Sequence, residues 1–261
     1  MILRRLLAAA RRARGATRDI GRDLVSSLPH WRDWSADYRS LAMLRLRAPL
    51  DRLAARLAGA GPLPPQRRLD IVVLPGIYET AADLRELTRP LARRGHTIHR
   101  VPRLYRQLAP MAVLRASVER FLAERELSDV VLLAHSKGGL IGKEVMMGAQ
   151  GARVRGMVAL ATPWHGSAYA ALFWPGLGVR SLRPGSPLIA AAQRPHPSDA
   201  RIVSIHPSFD PHIPLGSRLP GSRNIAVPTP GHFAVLSAPP VIDAVEAAVA
   251  SMEAGDVRDA S

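Results

Sequence analysis

The chain has 261 residues, of which 47% are hydrophobic, so its size suits one α/β domain with an appended segment. The absence of cysteine excludes disulfide bonds, thiol chemistry and cysteine-ligated metal sites. No uninterrupted apolar run reaches the roughly 18 residues typical of a membrane-spanning helix. The net charge is +15, and residues 1–68 hold 15 arginines against five aspartates, so positive charge is concentrated near the N-terminus.

Residues 1–68 are predicted to form a basic helical extension. Residues 1–15 alternate apolar side chains and arginines at helical spacing, and the arginines interrupt any stretch that could serve as a secretory signal. Three interpretations stay open for this segment: peripheral contact with an anionic membrane, a solvated helix packed on the rest of the protein, or a frayed terminus. A second helix is predicted over 41–59, where Pro49 is a point of kinking, and a linker over 59–65. We expect a cytoplasmic protein and, because no nucleic-acid-reading module accompanies the arginines, no nucleic-acid partner.

Strands and helices alternate after the linker. Strands are predicted at 71–74, 97–101, 130–133, 154–161, 201–205 and 224–227, and helices at 81–94, 111–126, 138–148 and 239–252. This alternation predicts an α/β fold with a mostly parallel central sheet and helices on both faces. In such sheets the active site lies at the carboxyl ends of the strands.

Ser136 is the candidate nucleophile. The stretch VVLLAHSKGG at 130–139 is a buried strand that runs into a tight turn and a glycine-rich helix start. This pattern is typical of a nucleophile elbow, although Ala134 stands where glycine is commonest. The alternative is an ordinary strand-to-helix turn with a surface serine.

His232 and Asp210 complete a candidate triad in the order nucleophile, acid, histidine. His232 follows the last predicted strand and would serve as general base, while Asp210, 22 residues earlier, would orient its imidazole. Asp199 is the rival acid, but it precedes the strand that the acid should follow. The alternatives without a catalytic role are a loop histidine for His232 and a turn-forming aspartate before proline for Asp210.

The oxyanion donors should be backbone N–H groups. One is that of Lys137, the residue after the candidate nucleophile. The other is expected in the loop after the first strand, from Ile77, with Tyr78 as second choice.

At these residues the chain resembles an α/β-hydrolase, and within that superfamily bacterial triacylglycerol lipases and esterases and the GPI inositol-deacylase-like lipases. Three further stretches carry the resemblance: LPG at 74–76, ATPWHGS at 161–167 and LRPGSPL at 182–188. The resemblance covers about residues 69–252 and implies an α/β-hydrolase domain over 69–261. It implies a serine hydrolase of lipid or acyl esters that works through an acyl-enzyme and needs no cofactor or metal. An acyltransferase with the same triad, or a catalytically silent docking protein, are the alternatives.

Residues 165–200 interrupt the strand–helix alternation and are rich in aromatic and apolar side chains. We expect a lid or acyl-chain wall there, with an ordinary packed helix as the alternative. Candidate substrate-binding residues are Tyr78, Trp164, Phe173 and Trp174.

Overall fold

The computed structural model describes residues 31–57, 69–102, 104, 107–172 and 178–255. The predicted helix over 1–15 and the linker over 59–65 lie outside these residues, and so do Phe173 and Trp174.

The described residues form six α-helices and six strands, with short 3₁₀ turns between some of them. The helices are α1 Trp31–Leu57, α2 Arg85–Arg93, α3 Met111–Glu124, α4 Lys137–Met147, α5 Pro187–Ala192 and α6 Pro239–Ala254. The strands are β1 Asp70–Leu74, β2 Thr97–Arg100, β3 Val130–His135, β4 Val154–Leu160, β5 Ile202–Pro207 and β6 Arg223–Val227.

Two helices differ from their predicted bounds by more than two residues. Helix α1 begins ten residues before the predicted start and continues through Pro49. Helix α2 begins four residues late because the Asp83 carboxylate accepts hydrogen bonds from both the backbone N–H and the hydroxyl of Thr80, which closes a turn in place of the first helical turn.

All six strands form one parallel sheet in the order β2-β1-β3-β4-β5-β6. The predicted α/β architecture is confirmed. Strands β3 and β4 are buried along their whole length, which explains their continuous apolar sequence. The chain turns back from β2 to β3 on the other side of β1, so a crevice opens beyond the carboxyl ends of β1 and β3.

The sheet separates two hydrophobic layers because side chains alternate along each strand. One layer packs Leu132 against α3 and α4, and the other packs Leu133 against α2 and α6.

Helix α1 is fastened to the second of these layers. Its Leu44 is buried there, and the Leu44 carbonyl accepts a hydrogen bond from Arg85 of α2 at 2.7 Å. The neighbouring Arg45 pairs with Asp83 at 2.9 Å. No helix in the described ranges is both long and apolar enough to span a membrane.

Candidate active site

Ser136 lies in the turn between β3 and α4 with φ 53° and ψ −126°, a conformation that residues with a Cβ rarely adopt. The Ser136 N–H donates to the Leu160 carbonyl at 2.9 Å, which anchors the turn to β4. A Cβ on Gly138 would overlap the Leu74 carbonyl, so only glycine fits at the start of α4. The local geometry is that of the predicted nucleophile elbow.

The structure brings the three predicted catalytic side chains together. His232 Nε2 lies 3.0 Å from Ser136 Oγ, and His232 Nδ1 lies 2.8 Å from Asp210 Oδ2. Asp210 Oδ1 accepts the backbone N–H groups of His212 and Ile213 at 2.8 and 3.0 Å. An ionised Asp210 can only accept, so it holds the proton of His232 on Nδ1 and leaves Nε2 free to accept from the serine hydroxyl.

Electrostatics reinforce this arrangement. Burial lowers the pKa of His232, but the charge and hydrogen bond of Asp210, with the charges of Glu79 and Asp37, outweigh burial and hold this pKa above its ordinary value. Burial raises the pKa of Asp210, yet the charge and hydrogen bond of His232 bring this pKa below its usual range. The pair therefore favours an ionised acid and stabilises an imidazolium when one forms.

The two predicted oxyanion donors flank Ser136. Ile77 lies in the loop after β1, and the preceding Gly76 approaches the elbow so closely that a Cβ there would lie 2.9 Å from Ser136 Cβ. Neither the Ile77 nor the Lys137 backbone N–H donates to any group in the described part of the chain. Their role as oxyanion donors stays a prediction. The Lys137 side chain points elsewhere: it is buried, donates to the Gln107 carbonyl at 2.5 Å, and has its pKa lowered to about 8 by burial.

Sequence reasoning missed a second acid–histidine pair beside the first. His135 Nδ1 lies 2.8 Å from Glu79 Oε1, and His135 Nε2 lies 2.9 Å from the His232 carbonyl oxygen. The position of His135 before Ser136 was the one available signal, because nothing local links it to Glu79, 56 positions earlier.

Sequence reasoning also missed the contribution of α1. Asp37 is almost fully buried, and its Oδ1 accepts the backbone N–H groups of Phe233 and Ala234 at 2.6 and 2.8 Å, directly after His232. Burial raises the pKa of Asp37, and these N–H groups offset only part of that effect. His212 Nε2 lies 3.8 Å from Asp37, but burial lowers the pKa of His212 to about 3, so this contact joins a neutral imidazole and is not an ion pair.

A cavity of about 340 Å³ opens over Ser136 and is lined mainly by apolar side chains. Tyr78 lines this cavity, and its role in substrate binding stays a prediction. Helix α1 and described residues between Pro163 and Leu182 also contribute to the wall: Tyr38, Leu41, Pro163, Tyr169, Ala170, Val179 and Leu182. The prediction for Trp164 is wrong. Its side chain is fully buried, and its indole N–H donates to Ser204 Oγ at 3.0 Å on the neighbouring strand, so it is a packing residue away from the cavity.

The described residues of the segment over 165–200 form short helical turns. Its described parts include two 3₁₀ turns, Ala168–Leu172 and Gly178–Leu182, followed by α5 and a third 3₁₀ turn, Pro197–Arg201. The Ser167 N–H donates to the Leu182 carbonyl at 2.8 Å, which ties the start of the segment to the end of its second 3₁₀ turn beside the cavity. Movement of this segment as a lid stays a prediction. Across the described ranges, His, Asp and Glu side chains form no group suited to hold a metal ion.

A six-stranded parallel sheet flanked by helices, with a strained serine at the end of β3, defines the α/β-hydrolase fold, and this chain has that fold. The metagenomic carboxyl esterase MGS0156 matches with a TM-score of 0.56 at 18% identity, over 75% of this chain and 79% of that one. The mature lipase BlEst2 of Bacillus licheniformis matches with a TM-score of 0.52 at 15% identity, over 68% and 91% of the two chains. RedJ matches with a TM-score of 0.50 at 21% identity, over 74% and 94%. No protein-family model and no curated protein matches the sequence.

Proposed function

We propose that the protein is a serine hydrolase that cleaves carboxylic esters of apolar acyl groups. One observation carries the proposal: Ser136 and His232, two members of the hydrogen-bonded series Ser136–His232–Asp210, line an apolar cavity. The names of structurally similar proteins, a carboxyl esterase and a lipase, support the same class of reaction.

The reaction proceeds in two halves. Ser136 Oγ attacks the ester carbonyl as His232 Nε2 takes its proton, and the N–H groups of Ile77 and Lys137 stabilise the oxyanion. The C–O bond to the alcohol then breaks, and the proton on Nε2 passes to the leaving oxygen. Water next attacks the acyl-enzyme with the same base, and the carboxylic acid leaves as Ser136 regains its proton.

The cavity sets the substrate class. Its volume of about 340 Å³ is at the lower end of the range of small-molecule sites, and its walls offer tyrosine rings and aliphatic side chains. Arg45 and Glu79, the charged side chains of its lining, are already paired with Asp83 and His135. We therefore expect an uncharged acyl chain of short to medium length, with the alcohol directed to solvent.

The test combines labelling and turnover. Wild type should react with a fluorophosphonate probe and hydrolyse a p-nitrophenyl ester series with an optimum at short to medium chain length. Ser136→Ala should abolish labelling and lower kcat by on the order of 10⁶. Ser117→Ala, a change at a half-buried serine of α3 whose hydroxyl donates to the Val113 carbonyl of its own helix, is the matched control and should leave both unchanged. A folded Ser136→Ala protein that keeps wild-type turnover would refute the proposal.

A further inference from the structure

The pair formed by Glu79 and His135 lies deeper than the triad. The side chains of His135 and Glu79 are 0% and 1% exposed, and all of their polar contacts are short. Glu79 Oε1 and Oε2 lie 2.8 and 2.9 Å from His135 Nδ1. Burial of two ionisable groups is costly unless each is paired, so such a pair calls for a physical reason.

The partners of the pair fix its protons. His135 Nε2 faces the His232 carbonyl, which can only accept, so Nε2 carries a proton. Glu79 Oε2 accepts the Gly76 N–H at 2.7 Å. One further proton is shared between Nδ1 and the carboxylate, and the pair as a whole is then neutral. This neutrality makes its burial tolerable.

These contacts join three separate pieces of the site. Glu79 holds the loop after β1 through Gly76, where Ile77 follows. His135 is the last residue of β3, directly before Ser136 in the elbow. Its Nε2 holds the main chain of His232, the base. A displacement of the pair would therefore move the oxyanion loop and the base relative to the serine.

We propose that Glu79 and His135 act as one positioning pair, which holds the oxyanion loop, the elbow and the His232 turn in their catalytic arrangement. The inference rests on the proposed ester hydrolysis. The pair makes no hydrogen bond to the reacting atoms Ser136 Oγ and His232 Nε2, and it acts through Gly76, Ser136 and His232.

The variant Glu79→Gln distinguishes the effect of the hydrogen bonds of Glu79 from the effect of its charge, because glutamine can form the bonds but is neutral. Its oxygen can accept the Gly76 N–H, and its NH₂ can donate to Nδ1 of a neutral His135, whose proton stays on Nε2. Glu79→Gln should therefore keep kcat within a few-fold of wild type. Glu79→Ala cuts both ties, and its kcat should fall roughly 10–100-fold, the usual cost of lost orienting groups, while KM changes by less than about threefold.

The double variant Glu79→Gln/His135→Ala removes the hydrogen bond between His135 and the His232 carbonyl. Because glutamine is neutral, no unpaired carboxylate stays buried at position 79, and this variant is therefore the better one to fold. Its kcat should fall as far as that of Glu79→Ala. Asp70→Ala is the matched control. Asp70 and His99 also form an acid–histidine pair, at 2.7 Å, but Asp70 is the first residue of β1, whereas the loop that carries Glu79 follows the last residue of this strand. This control should retain wild-type kcat.

The measurements are kcat and KM on one p-nitrophenyl ester, with folding checked by thermal melts. Wild-type kcat in folded Glu79→Ala or in the double variant would overturn the inference. Equal losses in Glu79→Gln and Glu79→Ala would overturn it too, because glutamine preserves the bonds. A wild-type protein that neither hydrolyses esters nor reacts with a fluorophosphonate would instead refute the proposed function.

Discussion

Replacement of Asp37 by alanine should both loosen helix α1 and impair the base. The Asp37 carboxylate is the acceptor for two main-chain N–H groups, those of Phe233 and Ala234, at 2.6 and 2.8 Å. A buried N–H that loses its acceptor costs about 1–3 kcal/mol. Relief of the buried charge, whose cost is visible in the raised pKa of Asp37, offsets part of this loss.

The net loss for Asp37→Ala is therefore about 2–4 kcal/mol of unfolding free energy, by the cost of unpaired buried donors. For a protein of this size that corresponds to a fall in Tm of roughly 5–15 °C. Its kcat should fall as well, because the turn that loses its acceptor carries His232.

Asp37→Asn is the informative companion. Asparagine keeps an acceptor oxygen for both N–H groups, so its Tm should stay close to that of wild type. It removes a negative charge that helps to raise the pKa of His232, so the acid limb of kcat/KM should move to lower pH.

Thermal melts and pH–rate profiles on a p-nitrophenyl ester measure both effects. Met43→Ala, an exposed change on the same helix, is the control and should alter neither. An Asp37→Ala protein with wild-type Tm and wild-type kcat would refute this reasoning about α1.

Three further predictions concern the triad and the core. Wild-type kcat/KM should rise with pH through an apparent pKa above about 6.5, the ordinary histidine value, because His232 must be neutral to act as base and its pKa is raised; a midpoint below that value would contradict it. Asp210→Asn should lower kcat by on the order of 10⁴ and shift the same limb to lower pH, measured in the same profile, and an unshifted limb would count against the assignment. Lys143→Ala should cost about 3–5 kcal/mol in a denaturant titration, because it strands the buried Asp199 carboxylate, now 2.8 Å from Lys143, without changing kcat of the folded protein. A loss below 1 kcal/mol would argue that the pair is solvated.

The sheet and the close approach of Ser136, His232 and Asp210 were predictable because their signals are local. Each strand is a short apolar run between turn residues, and the parallel order follows from alternation with helices. Ser136 can be recognised from the small residues that its turn requires. His232 and Asp210 can be recognised because each follows a predicted strand. The order of these residues along the chain and their positions at strand ends thus predict that they lie close together in the fold.

The rest depends on side chains that meet across long separations. Asp37 and Glu79 carry no motif, and their importance comes from distant partners, the main-chain N–H of Phe233 for Asp37 and the imidazole of His135 for Glu79. Trp164 looks like a substrate contact by composition, yet its indole finds Ser204 on β5, 40 positions later. Packing decides the direction in which an aromatic side chain points after the end of a strand, and the sequence pattern does not encode this packing.

The contact between Asp37 and Phe233 also bears on the order in which the protein folds. These residues are 196 positions apart, whereas β1 meets β2 and β3 meets β4 through single helical crossovers. Closure of the longest loop carries the largest entropic cost, so α1 should dock after the sheet has formed. In refolding from denaturant, helical and strand structure should therefore return before the complete cavity over Ser136 does, and regain of turnover should lag behind regain of the circular dichroism signal.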